Sequence, residues 1–284
     1  MRRPIALRRG QAGFVLAELL VALVIAAIIG AALTQLVVSQ SRFAALQGGI
    51  VQARGGARAA LNVMATDFRM VTDHGLVAAT PESVTVRAPY AFGVACGPQA
   101  GKMVMGLLPT DSATFFSASP SGYAWLDATG AYRFVEPATA PYASTGKCMS
   151  ASPKIVVQTG IGWPTTEVGV SPADTATKPG NMMYLYQLVR YAFAPSGQLP
   201  GRIGLWRTVL STGARDELVA PFDSISGFQF LDSTYTAKAT PPADLTKVYG
   251  LRLVLVAASE TAPEGRSKPV EFNMTTDVLF RNHP

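Results

Sequence analysis

"RRGQAGFVLAELLVALVIAAIIGAALTQL", residues 8–36, decides how the rest of the chain is read. Residues 14–36 carry a single charge, Glu18. As a helix rising ~1.5 Å per residue, this run spans about 34 Å, enough to cross a bilayer. Arg2, Arg3, Arg8 and Arg9 precede it, and that bias keeps the N-terminal end cytoplasmic and exports the C-terminal body. A cleaved secretory signal is the alternative, but such signals have an apolar core of about 7–15 residues and a small-x-small cleavage site. This run is longer and passes directly into more helix. A carboxylate inside it is costly, so Glu18 calls for a partner.

The chain has 284 residues, 49% apolar and 15% charged. That length holds one substantial domain or two small ones. The net charge of +6 invites a nucleic-acid reading, but without residues 1–13 the chain holds 20 basic against 18 acidic side chains, a net of +2. No dense Lys/Arg cluster stands in the body, so no nucleic-acid partner is expected. Cys96 and Cys148 lie 52 positions apart in the exported part. They suit one disulfide, worth about 4 kcal/mol by loop closure, better than the alternative of two free or buried thiols. There is no CxxC, and the histidines are His74 and His283, so no metal site is expected.

Beyond residue 36 the pattern turns amphipathic. Phe43, Leu46, Ile50, Ala57, Leu61, Met64, Phe68 and Val71 recur at helical spacing, with Arg54, Arg58, Asp67 and Arg69 largely off that line. No proline intervenes between Pro4 and Pro81, so a helix from about residue 14 to 71 is permitted. Gly48-Gly49 and Gly55-Gly56 weaken it by about 1 kcal/mol per glycine, and a bend or local melting is expected there. The stripe suits packing on the chain's own sheet better than a coiled-coil seam.

From residue 80 the sequence reads as short strands with turn punctuation, at 83–88, 102–108, 113–117, 132–135 and 154–158. A hairpin follows, 182–194 and 202–210 around "PSGQLPG", then strands at 224–232, 246–258 and 268–280. Strand following strand indicates antiparallel sheet and an α+β fold. "YGLRLVLVA" alternates with Arg252 on one face, as a half-buried strand does. Residues 95–101 with Cys96 and 138–153 with Cys148 read as surface loops, and 162–181 as an exposed loop whose Asp174 is more readily a solvated acid than a calcium ligand.

"GFVLAE", Gly13 to Glu18, with its basic leader and apolar run, resembles the type III signal of type IV prepilins and pseudopilins. The resemblance implies a pilin-like fold, with residues 1–13 a cleaved leader, 14–36 a filament-core helix, 37–72 its amphipathic continuation and 80–284 an exported β-rich domain. It implies that a prepilin peptidase cuts between Gly13 and Phe14 and methylates the new amine of Phe14. Glu18 of a neighbouring subunit would then neutralise that amine in the filament core. "ARAALNVMATDFRMV", residues 57–71, resembles the distal helix of PilW-type minor pilins and J-type minor pseudopilins of type II secretion. The body repeats that group's order with Val189-Arg190-Tyr191, Gly197, Leu199, Leu218-Val219, Phe228, Phe230, Arg252, Leu255 and Phe280-Arg281-Asn282. The length suits the PilW type. What this implies is a minor subunit that initiates or caps pilus assembly. Its partners would be other major and minor pilins or pseudopilins, the peptidase and an inner-membrane assembly platform, and its locations the inner membrane and then the pilus at the cell surface. A J-type secretion pseudopilin and a DNA-uptake pseudopilus subunit share the same physics.

Enzymatic chemistry is not expected. The chain lacks a P-loop, a GxSxG elbow, an HExxH motif and a spaced carboxylate pair with a supporting histidine, and no cofactor is implied. A signal-anchored periplasmic enzyme or binding protein is the reading from another class, and in it Glu18 is incidental.

Overall fold

The computed structural model describes residues 12–142, 146–148 and 166–280, with side chains from residue 16 onward. One helix dominates, α1 (Ala12–Met70), 59 residues without a break. Thirteen strands follow among the described residues: β1 (Leu76–Thr80), β2 (Ser83–Gln99), β3 (Lys102–Leu107), β4 (Gly122–Leu126), β5 (Tyr132–Val135), β6 (Glu167–Val170), β7 (Met182–Pro195), β8 (Ile203–Val209), β9 (Arg215–Phe222), β10 (Gly227–Leu231), β11 (Ala237–Lys238), β12 (Gly250–Ala258) and β13 (Glu271–Leu279). A short helix, α2 (Ser112–Ser117), lies between β3 and β4. The fold is α+β, a long apolar helix packed on a large antiparallel sheet.

Two long strands, β2 and β7, form the spine, paired from Ser83↔Ala192 to Val94↔Met182 with a shift at Pro89/Ala91. At one end β7 pairs β8, β8 pairs β9, and β12 joins β9, β10 and β13. This half makes the first core: Val84, Tyr191, Phe228, Leu253 and Leu255 pack beneath Met64 and Phe68 of α1. At the other end β2 pairs β3, β3 pairs β6, and β4 bridges β5 and β7. The second core holds Met105, Leu107, Tyr123, Trp125, Val168 and Leu185 and takes no residue from α1. On β12, Leu251, Leu253 and Leu255 face the core while Arg252 points away to Asp277, its Nε 2.7 Å from Oδ1. The period of two that marked this strand in the sequence is the pleat itself.

Several expectations are corrected. Residues 113–117 are helix: Pro109 at the first position of a helical turn starts the segment, and Asp111 accepts the Phe92 backbone N–H at 2.8 Å. The expected loop at 162–181 contains β6, whose four residues are all buried. Cys96 lies on β2 rather than in a surface loop, at 1% exposure. Phe43 is 63% exposed and takes no part in the helix stripe.

The helix also continues unbroken through both glycine pairs, without the local melting expected there. One glycine of each pair faces the sheet: a Cβ on Gly49 would sit 3.3 Å from Val270 Cγ2, and one on Gly56 3.4 Å from Val219 Cγ1. With Ala53, Ala57 and Ala60 they form a stripe of small residues on which helix and sheet approach closely, before Met64 and Phe68 widen the contact. Tertiary packing of that stripe offsets the weak helix propensity of glycine. The strand expected at 154–158, and Arg281-Asn282 and His283, lie outside the described residues.

Candidate functional site

The N-terminal half of α1 leaves the body altogether. Every residue from 16 to 45 is exposed, among them Leu19, Leu23, Ile28, Leu33 and Val37. The helix is long and apolar enough to cross a membrane. Its Ala- and Leu-rich sequence with no internal proline favours continuous helix, and in lipid every backbone N–H and C=O is satisfied within the segment. Two hydroxyls in the segment are satisfied the same way: Thr34 donates to the Gly30 carbonyl at 2.8 Å and Ser39 to that of Leu36 at 3.0 Å. Glu18 has no such arrangement. Its carboxylate stands exposed on the apolar surface, with no hydrogen bond or ion pair among the described residues. Gly13 and Phe14 lie in the first helical turn, and their side chains are outside the described residues. Phe14 precedes Glu18 by four residues, about 6 Å along the axis.

The other half of α1 is tied to the body by polar contacts at the rim of the first core. Tyr191 on β7 donates to Asp67 Oδ2 at 2.5 Å, Arg207 Nε on β8 donates to the Tyr191 hydroxyl at 3.3 Å, and the guanidinium lies 3.7 Å from the same carboxylate. Burial, and then the charge of Asp67, push the Tyr191 hydroxyl well above the ordinary tyrosine range, so it stays a donor. Thr72, just past the helix, shares a 2.7 Å hydrogen bond with Tyr184, whose ionisation burial also suppresses. Arg54 lies 5.1 Å above the Phe272 ring. These contacts tie α1 to β7, β8 and β13. Nothing in the sequence marked Asp67 for this role except its place one residue before Phe68.

The body markers are scattered over the fold. Tyr191, Phe228 and Phe230 lie in the first core, while the Gly197 N–H donates to Glu217 at 3.0 Å in the β7–β8 loop. In the second half, the sulfurs of Cys96 and Cys148 lie 2.03 Å apart as a disulfide. Beside it, buried Glu167 accepts the N–H of Cys148 at 3.0 Å and of Lys147 at 3.3 Å. Asp174 accepts the Trp125 indole N–H at 3.0 Å. Among the described residues no group of three His, Cys, Asp or Glu could hold a metal ion.

The two halves of α1 therefore differ: one is exposed and apolar with a carboxylate that has no partner among the described residues, and the other is packed on the antiparallel body. No family model, curated protein or solved structure matches the chain.

Proposed function

We propose that this chain is a minor subunit of a type IV filament, most similar in role to PilW-type pilins, which initiates or caps pilus assembly and is not an enzyme. A prepilin peptidase removes residues 1–13 and methylates Phe14, and the arginines of the leader set the N-terminus cytoplasmic. The observation that carries this reading is Glu18, a carboxylate with no partner among the described residues, in a helix run otherwise apolar from residue 16 to 33. An unpaired charge in such surroundings costs several kcal/mol. The positive amine created at Phe14 of a neighbouring subunit removes that cost and fixes the stagger between helices. The long helix supplies the filament core, and the exported body supplies the surface that other subunits meet.

The test is substitution at Glu18. Glu18→Ala should insert in the membrane and be processed normally, yet be missing from sheared filaments, with Glu18→Asp restoring part of the incorporation. Incorporation of Glu18→Ala at the wild-type level would refute the pairing and favour a signal-anchored periplasmic protein.

A further inference from the structure

A cleft of about 470 Å³ opens on the second half of the sheet, between the turn joining β4 to β5 and the loop that leads into β7. Trp125, Asp127, Thr129, Arg133, Asp174 and Lys178 line it. The two carboxylates are already committed. Asp127 Oδ1 accepts the Thr129 hydroxyl at 2.5 Å and the N–H groups of Thr129 at 2.8 Å and Ala131 at 3.1 Å, while Oδ2 accepts Arg133 Nε at 2.9 Å. Asp174 accepts the Ala176 N–H at 2.9 Å and the Trp125 indole N–H at 3.0 Å. Led by the Thr129 hydroxyl, these donors hold the Asp127 carboxyl well below the usual carboxylate range.

The cations are in the opposite condition. Arg133 is 63% exposed and engages Asp127 through Nε alone, which leaves its two terminal nitrogens open to the cleft. Lys178 makes no side-chain hydrogen bond or ion pair among the described residues. Trp125 is only 5% exposed, its indole N–H spent on Asp174.

We propose that this cleft is a binding site for an oxyanion, the carboxylate or phosphate group of a small ligand. Asp127 pre-orients the Arg133 fork, whose free edge meets the two oxygens of such a group side by side, and Lys178 adds a second charge. The volume lies in the range of small-ligand sites. The site stands on the cleft's own geometry and is independent of the filament reading.

The experiment is calorimetric titration of the full chain in a neutral detergent with digalacturonate, inorganic phosphate and neutral galactose. At least one anion should bind and galactose should not; which anion binds identifies the oxyanion. Arg133→Gln combined with Lys178→Gln should weaken that binding at least tenfold with an unchanged melting curve. Should the double variant unfold, Lys178→Gln alone must weaken binding several-fold. No anion binding at millimolar concentration, galactose binding equal to digalacturonate, or undiminished binding by the variants would overturn the proposal.

Discussion

Asp67 and Glu18 are acids on the same helix with opposite fates. Asp67 is balanced within the subunit by Tyr191 and Arg207, whereas Glu18 has no partner among the described residues. Removing Asp67 leaves the buried Tyr191 hydroxyl without its acceptor, which costs about 1–3 kcal/mol. Asp67→Ala should therefore lower stability by that amount in urea unfolding of the full chain in detergent. Tyr191→Phe should cost less in the Asp67→Ala background than alone, since both remove one contact. Strict additivity would show that the two residues do not act together. Glu18 was legible in the sequence because it stands alone in an apolar run. Asp67 was not, because its partner lies 124 positions away.

The glycine pairs of α1 show what periodicity reveals of an element and what it hides. The spacing of Ala57, Leu61, Met64 and Phe68 gave the helix and its buried face, but glycine propensity alone argued for local melting that the unbroken helix lacks. Whether a glycine weakens a helix or lets it dock depends on what lies opposite, and that belongs to tertiary structure. A Cβ on Gly48 or Gly55 would meet nothing within 4 Å, while Gly49 and Gly56 face Val270 and Val219. Gly48→Ala and Gly55→Ala should each stabilise the chain by up to about 1 kcal/mol. Gly49→Leu and Gly56→Leu should each destabilise it by about 1–3 kcal/mol through overpacking. Thermal melting of the four variants checks this, and equal effects within each pair would contradict the close helix–sheet approach. Strands were legible where alternation ran long, as in β7 and β12. They were hidden where they are short or begin with charges, as in β6 and in β9, "RDELVAPF". The helical turn at 113–117 was misread because its paired phenylalanines look like strand while Pro109 and Asp111 start a helix.

At the scale of the molecule, β2 and β7 join two cores that differ in what supports them. The first is roofed by α1, and the second is tied by the Cys96–Cys148 bond, which closes a loop of 52 residues. Loop closure of that length is worth about 4 kcal/mol. Replacing both cysteines by serine should therefore open the second half to proteolysis first, leaving two protected fragments that stay associated, one containing α1 and the other β8 to β13. Simultaneous loss of both halves in limited proteolysis would show a single cooperative unit. The apolar helix and the antiparallel body were both legible, whereas the division of the body into two cores was not, because it rests on which strands pair. The central claim is that maturation creates an amine at Phe14, without which Glu18 of another subunit has nothing to pair with. The intact mass of the protein, taken from membranes with and without prepilin peptidase, tests it most directly. The account predicts a chain beginning at Phe14 with one added methyl group, seen only when the peptidase is present. A mature protein beginning at any other residue, or the same mass in both membranes, would contradict it.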